Sequence, residues 1–193
     1  GGLSIAGPLT SSFGYSVSHA GDVNGDGYSD VIIGAPDYSV GWLNRGLAQV
    51  EYCYAMTPLP FWSYSPNLSN AYLGSSVAGA GDVNGDGYSD LVIGVPGLSQ
   101  VDVFHGSPTG LGNVPTLTLN GQALSRFGES VGTAGDVNGD GYGDVIIGAG
   151  DHDAGQVDEG AAFVYHGSPS GLLPVAAWSA EGNQTNASFG SSG

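Results

Sequence analysis

The stretch that decides the fold is residues 21–30, which read GDVNGDGYSD. It returns unchanged at residues 81–90 and with one substitution, as GDVNGDGYGD, at residues 135–144. Three near-identical copies in one chain indicate a repeated structural unit, so the rest of the sequence is compared repeat by repeat.

Each copy has the same neighbours along the chain. An aromatic or aliphatic residue followed by Gly precedes it, at residues 13–14 (Phe-Gly), 73–74 (Leu-Gly) and 127–128 (Phe-Gly). An apolar run that ends in Gly-Ala-Pro or a variant follows it, at residues 31–36, 91–96 and 145–150. Further on, an alternating run ends in His-Gly-Ser-Pro at residues 101–108 and 162–169, whereas residues 50–57 diverge.

These patterns predict four short strands per repeat, and no segment has a convincing helical period. The strands are the segment after Phe-Gly, the apolar run, the alternating run, and an outer stretch such as residues 61–64 or 116–119. The continuous apolar run suits a strand that is buried on both faces. Four antiparallel strands repeated in this way predict an all-β fold, a β-propeller of four-stranded blades.

We expect one propeller region over residues 1–193, with repeats at about residues 13–72, 73–126 and 127–188. Residues 1–12 would supply the last strand of a preceding blade, and residues 189–193, with a further Phe-Gly pair, would begin a following one. Closed propellers have about four to eight blades. Three repeats therefore predict part of a larger propeller, or copies that complete one another as an oligomer.

The charge balance excludes several classes of partner. The chain has 18 acidic residues and two basic ones, with a formal net charge of −16. Phosphate backbones and anionic membrane surfaces would repel such a chain, so nucleic acid is not expected as a partner. No apolar stretch has the roughly 18 residues that a membrane span needs. The single cysteine, Cys53, excludes an intrachain disulfide.

The acidic stretches predict calcium sites. Calcium takes about six to eight oxygen ligands, and a loop that wraps it offers them at alternate positions with glycine at the sharp turns. Counting from the first Asp, positions 1, 3, 5 and 9 carry side-chain oxygens and position 7 offers its backbone carbonyl. The predicted ligands of the three sites are Asp22, Asn24, Asp26, Tyr28 and Asp30; Asp82, Asn84, Asp86, Tyr88 and Asp90; and Asp136, Asn138, Asp140, Tyr142 and Asp144.

Two other interpretations of the acidic stretches fit the sequence less well. A plain turn-rich loop explains one Asn-Gly or Asp-Gly pair, but not three copies at matching positions. An EF-hand needs Glu at position 12 and flanking helices. Position 12 is Ile33, Ile93 or Ile147, each inside a predicted strand.

The order Phe-Gly, acidic loop, Gly-Ala-Pro resembles the FG-GAP repeat of the integrin α-subunit β-propeller and its bacterial relatives, over all three units. The resemblance implies a seven-bladed propeller in full-length members, with calcium in the loop between the first two strands of a blade. It also implies adhesion or ligand binding outside the cell, hence a secreted or cell-surface protein. Leu73 in place of Phe and Gly150 in place of Pro depart from the pattern.

By the same resemblance, ligands meet the end of the propeller opposite the calcium loops, where the connections between second and third strands lie. Two of these connections are long, residues 37–47 and 151–160. Their candidate ligand-binding residues are Tyr38, Trp42, Arg45, His152 and Asp153. Ordinary loop variation is the alternative. The cluster in the second connection (Asp151, His152, Asp153, Asp158 and Glu159) could also hold a further cation.

The leading functional hypothesis is a calcium-stabilised extracellular adhesion or ligand-binding module, with a protein or glycan partner. The alternatives are a structural subunit whose partial propellers assemble into a filament or surface layer, and a lectin-like propeller. An enzyme is not expected, because no nucleophile or acid–base constellation appears. His105, His166, Trp62 and Trp178 are interpreted as structural, and Cys53 as a small buried residue of the first repeat's third strand.

Overall fold

The computed structural model describes residue 8 and residues 11–53 and 61–192. The strand predicted within residues 1–12 falls almost entirely outside the described residues, as does the end of the divergent run at residues 50–57.

The described chain forms three four-stranded antiparallel sheets, each from four strands in sequence order. The first blade contains β1 Ser16–Gly21, β2 Asp30–Ala35, β3 Leu47–Glu51 and β4 Trp62–Tyr64. The second contains β5 Val77–Gly81, β6 Asp90–Val95, β7 Gln100–Phe104 and β8 Leu117–Asn120. The third contains β9 Ser130–Gly135, β10 Asp144–Ala149, β11 Ala161–Tyr165 and β12 Trp178–Glu181. The predicted all-β propeller architecture is confirmed, and each sheet is one blade.

The second strand of each blade is the most buried, as its apolar sequence predicts. Every residue of β6 is buried, and all but Val31 in β2 and Ile146 in β10 are buried too. Branched side chains suit this position because they pack on both faces of a pleated strand. Each acidic loop connects the first strand of its blade to this second strand.

The hydrophobic core lies between consecutive blades. We call the interface of the first and second blades the first seam, and that of the second and third blades the second seam. At the first seam the ring of Trp62 meets that of Phe104 edge-on, with 4.9 Å between centroids. At the second seam Phe127 packs against Phe163, at 5.7 Å. Leu73, which replaces the expected Phe, is fully buried at the first seam.

Close backbone contact explains the glycines of the Phe-Gly and Gly-Ala-Pro segments. A Cβ on Gly34 would lie 2.0 Å from the carbonyl oxygen of Gly74 in the next blade. At the second seam a Cβ on Gly94 would lie 2.0 Å from the oxygen of Gly128. Real side chains cannot approach so closely, so the Gly of each Gly-Ala-Pro run lets the next Phe-Gly segment dock on it.

Two details of the strand predictions were wrong. β3 ends at Glu51, so Cys53 lies two residues beyond the third strand and is half-buried rather than buried. Its N–H instead donates to the Asp30 carboxylate, at 2.9 Å. The outer strand β4 begins at Trp62, and Phe61 stands before it and is exposed. Trp178, predicted to pack, is also exposed.

Candidate metal centre and ligand-end loops

The first Asp of each acidic loop organises the loop through backbone hydrogen bonds. Asp22 Oδ1 accepts from the N–H groups of Gly25, at 2.7 Å, and Asp26, at 3.1 Å. Asp22 Oδ2 accepts from Gly27 N–H at 2.8 Å. Short polar side chains favour such local bonds, which here bend the backbone around one carboxylate.

The middle positions continue the same arrangement. Asn24 Oδ1 accepts from Asp26 N–H at 3.0 Å, while its amide nitrogen donates to Asp26 Oδ2 at 3.2 Å. Asp26 Oδ1 accepts from Tyr28 N–H at 2.9 Å. The loop therefore gathers the side-chain oxygens of positions 1, 3 and 5 within a single turn of backbone.

The second and third loops repeat this geometry closely. The bond from Gly85 N–H to Asp82 Oδ1 is 2.6 Å, and that from Gly139 N–H to Asp136 Oδ1 is 2.7 Å. The corresponding bonds at the other positions recur in both loops. Nearly identical sequence thus produces nearly identical loop structure, whatever surrounds each loop.

The last Asp of each loop, at position 9, is the first residue of the second strand and is buried in all three repeats. Asp30 Oδ2 accepts from Val23 N–H at 3.1 Å, which closes the loop on itself. In the second loop, Asp90 accepts from Val83 N–H at 2.8 Å and from Gly106 N–H at 2.9 Å. Each carboxylate oxygen keeps a second lone pair after accepting one such bond.

Burial makes ionisation of these carboxyl groups less favourable. It raises the pKa of Asp90 to about 7, against the opposing effect of the N–H groups of Gly106 and Val83. Burial raises the pKa of Asp30 as well, and the charges of Asp26 and Asp22 add to the rise. A cation near either carboxyl group would offset this effect of burial, because an opposite charge favours the ionised form.

The acidic loops are also part of the seams. Ser89 N–H, at position 8 of the second loop, donates to the carbonyl of Asp22 in the first loop, at 2.9 Å. At the second seam Gly143 N–H donates to the carbonyl of Asp82, at 2.8 Å. The conformation of the acidic loops is therefore coupled to the packing of consecutive blades.

Aromatic side chains add a second contact between the loops. A Cβ on Gly25 would lie 2.4 Å from the ring of Tyr88, and a Cβ on Gly85 would lie 2.6 Å from the ring of Tyr142. Each ring therefore packs directly on a glycine of the preceding loop. The acidic pattern predicts only a carbonyl ligand at these tyrosines and does not predict the packing of their rings.

Across the described ranges, no group of three or more His, Cys, Asp or Glu side chains is drawn together in the way that would hold a metal. The loops offer two such carboxylates close together, at positions 1 and 5. The third carboxylate, at position 9, bonds backbone N–H groups at the base of the loop. The predicted ligand sets thus remain a prediction.

The first ligand-end loop, residues 36–46, starts where β2 ends, at the opposite end of the blade from the acidic loop. Tyr38 and Arg45 lie side by side, with the guanidinium carbon 5.6 Å from the ring centroid. Trp42 is exposed nearby in sequence. The sequence predicted these three residues together, and the structure brings Tyr38 and Arg45 into contact.

The second ligand-end loop, residues 150–160, is held mainly by its own carboxylates. Buried Glu159 accepts from the N–H groups of Ala154, at 2.7 Å, and Gln156, at 3.2 Å. Asp153 Oδ1 accepts from Asp158 N–H at 2.7 Å. These bonds favour a structural role for the acidic residues over the extra cation considered from the sequence.

The remaining candidates of this loop have neighbours outside it. The ring of His152 meets Phe163 edge-on, at 5.5 Å between centroids. The backbone of Asp153 is bracketed by the side-chain amide of Gln122, which accepts its N–H at 2.9 Å and donates to its carbonyl at 3.0 Å. Gln122 was missed from the sequence, because no local pattern links residues 31 positions apart.

No helix in the described residues is long and apolar enough to cross a membrane.

Comparison with known proteins agrees with this architecture. A family profile described as FG-GAP repeat matches residues 13–47, 73–116 and 127–165. The chain is 36% identical over 156 residues to integrin alpha-PS5 of Drosophila melanogaster, which covers 71% of this chain and 15% of that protein. It is 33% identical over 182 residues to integrin alpha-5 of Xenopus laevis, which covers 86% of this chain and 17% of that protein.

A third relative is human integrin alpha-IIb, 37% identical over 156 residues that make up 73% of this chain and 15% of that protein. The chain thus spans a small part of the length of the relatives it matches. The profile begins at the Phe-Gly or Leu-Gly pair of each blade and reaches the third strand in all three, ending before the outer strand. This chain belongs to the FG-GAP repeat family, and the relatives that it matches include integrin α subunits.

Proposed function

We propose that this chain is a calcium-stabilised, non-catalytic ligand-binding region of an extracellular or cell-surface adhesion protein. The observation that carries the proposal is that the acidic loops form part of both seams, through backbone bonds such as that from Ser89 N–H to the Asp22 carbonyl. A cation that fixes the loops would therefore fix the blades. The chain covers 15% to 17% of the length of these two integrin relatives, so an adhesive activity is proposed for it and not taken over from them.

The donor set suits calcium. In the first loop the ion would be held by the side-chain oxygens of positions 1, 3, 5 and 9 and the carbonyl of position 7, all hard oxygen ligands. The full sets are Asp22, Asn24, Asp26, Tyr28 and Asp30; Asp82, Asn84, Asp86, Tyr88 and Asp90; and Asp136, Asn138, Asp140, Tyr142 and Asp144. When bound, the ion would supply positive charge to the carboxylates that each loop brings together.

Chelation tests the calcium sites. Calcium at about 100 times its Kd would add about 2.7 kcal/mol per site. For a chain of this size, each kcal/mol of stability corresponds to about 2–4 °C in Tm. EDTA is therefore expected to lower the Tm by more than about 10 °C, and added calcium to restore it. An unchanged melt in EDTA would refute the sites.

Matched variants locate the effect. Asp82→Asn and Asp136→Asn each remove one charge at position 1 of a loop, so each is expected to reduce the number of calcium ions bound by one in isothermal titration. Glu181→Gln changes an exposed carboxylate on β12, outside the loops, and serves as the control. Equal losses in all three variants would point to general charge rather than defined sites.

Ligand binding is proposed for the end of the blades opposite the acidic loops, as the integrin relatives suggest. A panel of immobilised extracellular proteins and glycans, probed in calcium and in EDTA, tests it. Calcium-dependent binding that Tyr38→Ala or Trp42→Ala weakens would support a site in the first ligand-end loop. Binding that is unchanged in both variants would mean that the ligand site lies outside the first ligand-end loop.

A structural subunit remains the second candidate, because the outer face of the third blade is apolar and exposed at Ile146 and Trp178. Such a face favours a further blade or another copy. Sedimentation at rising protein concentration distinguishes the two functions. A chain that stays monomeric at every concentration would refute its role as a self-assembling structural subunit.

A further inference from the structure

A polar cavity of about 470 Å³ opens beside the first ligand-end loop, at the outer edge of the first seam. Its lining comes from both blades: Tyr38, Arg45 and Ser65 belong to the first, and Asn113 and Val114 to the second. Its volume matches the smaller pockets that hold small molecules in proteins. Since two blades form the cavity, its shape depends on an intact seam.

Arg45 is the charged residue of this cavity, and its charge has no acidic partner in the described chain. Its guanidinium donates to Ser65 Oγ, to the carbonyl of Val40 at 3.0 Å and to the carbonyl of Ser65 at 3.4 Å. All three acceptors are neutral. These bonds use three of the five guanidinium N–H groups and leave two to bind something else.

The other basic residue of the chain, Arg126, shows the contrast. It pairs with Glu129 at 2.7 Å and approaches Asp151 at 4.0 Å. In a chain with 18 acidic residues, a half-buried arginine held by neutral oxygens is unusual. The fixed, planar donors of arginine match a carboxylate in two-point geometry. The carboxylate of Asp102, which adjoins the lining at Tyr64, is engaged in side-chain hydrogen bonds with Tyr64 and Thr118 rather than with Arg45.

The remaining lining favours a ligand with several hydroxyl groups. The side chains of Ser63, Asn67 and Asn113 border the cavity, are exposed and make no hydrogen bond within the described residues, so they are accessible to a ligand. Amide and hydroxyl groups both donate and accept, which suits sugar hydroxyls.

We propose that this cavity binds an acidic saccharide, with the sugar carboxylate on Arg45 and the ring hydroxyls on Ser63, Asn67 and Asn113. The proposal rests on the proposed ligand-binding function and names its ligand class. It differs from the calcium proposal in location, since the cavity adjoins the ligand-end loop and contains no residue of an acidic loop.

The two arginines permit a direct test. A ¹⁵N-labelled chain gives two arginine Nε–H signals, which Arg45→Gln and Arg126→Gln assign. Titration with D-glucuronate in calcium is expected to shift the Arg45 signal and leave that of Arg126 in place. Glucose, which has the ring without the carboxylate, is expected to bind at least about tenfold more weakly, because the charge-assisted bonds are lost.

Variants separate binding from loop structure. Arg45→Gln is expected to weaken glucuronate binding at least about tenfold. Because this change could also loosen the loop, Asn113→Asp is the second variant: it opposes the carboxylate with a like charge from the other blade and leaves the Arg45 bonds intact. Arg126→Gln should bind glucuronate normally, and the Tm of every variant reports its folding.

Several outcomes would overturn the proposal. No shift of the Arg45 signal up to high millimolar glucuronate would leave Arg45 a purely structural clamp. A short glutamate-containing peptide that binds more tightly than glucuronate would replace the saccharide by an acidic peptide. Unchanged binding in Asn113→Asp would place the ligand outside this cavity. A normal calcium response with no glucuronate binding would refute this inference and leave the calcium sites standing.

Discussion

Trp62 and Trp178 occupy the same register position in the outer strands of the first and third blades, yet their surroundings differ. Trp62 is 7% exposed and its indole N–H donates to the carbonyl of Gly112 in the second blade, at 2.8 Å. Trp178 is 52% exposed. Their second-strand neighbours differ likewise, since Ile32 is 0% and Ile146 is 37% exposed.

The difference teaches that one blade does not bury its own side chains. The face that carries Trp62 is covered by the second blade at the first seam. The matching face of the third blade, with Ile146 and Trp178, is exposed, and we call it the open face. Burial of the apolar side chains on this face depends on a neighbouring blade, as in other repeat folds where each unit is stabilised by the next.

The largest difference is expected between Trp62→Ala and Trp178→Ala. The first removes a buried ring that packs on Phe104 and leaves a cavity, at a cost of about 3–5 kcal/mol. The second removes a half-exposed ring and should cost no more than about 1 kcal/mol. Urea unfolding measures both. If Trp178→Ala proves equally costly, and more so at high protein concentration, the open face is covered by a second copy.

A smaller effect of pH is expected at the second loop in EDTA. The Asp90 pKa is raised from 3.8 to about 7 in the folded chain, so the folded state retains a proton that the unfolded state releases. This contribution to stability is complete below pH of about 4 and is lost as pH rises through 7. The chelated protein should thus lose on the order of 2 kcal/mol between pH 5 and pH 8.

The Tm measured across this range in EDTA checks the sign. Calcium should reverse the trend, because a cation favours the ionised carboxylate. Asp90→Asn removes the ionisable group and is expected to flatten the dependence in EDTA. A Tm that rises from pH 5 to pH 8 in EDTA would contradict the assignment.

The smallest difference is expected between Gly85→Ala and Gly139→Ala. Both glycines hold the same position of an acidic loop with nearly equal positive φ, 75° and 76°, so the backbone strain of an added Cβ is common to both. Only Gly85 lies under a tyrosine ring, that of Tyr142. Around Gly139 no described atom lies within 4 Å of the added Cβ.

Gly85→Ala should therefore be the less stable variant by about 1 kcal/mol or more, at the low end of overpacking costs. Thermal melts of the pair in calcium measure the difference. Pairing Gly85→Ala with Tyr142→Ala removes the ring and should abolish the extra cost. Equal destabilisation of the two glycine variants would mean that the ring moves aside freely.

Much of the fold could be predicted because its signals are local. The continuous apolar runs identified β2, β6 and β10, and the acidic loops were placed correctly before them. The hydrogen bonds around Asp22, Asp82 and Asp136 join residues at most five positions apart, so one short sequence specifies one loop three times. The errors at Cys53 and Phe61 lie within and shortly after the divergent run at residues 50–57, where the repeat pattern fails.

The sequence by itself determined the repeat, its four strands and the oxygen-rich loops, since each depends on neighbours along the chain. Only the tertiary structure decided which of two equivalent tryptophans is buried, why Gly34 must meet Gly74, and that Arg45 faces a cavity shared with Asn113. These contacts join different blades. Their free energy comes from surfaces that meet only after the blades pack, and a repeat pattern read along the chain does not contain that information.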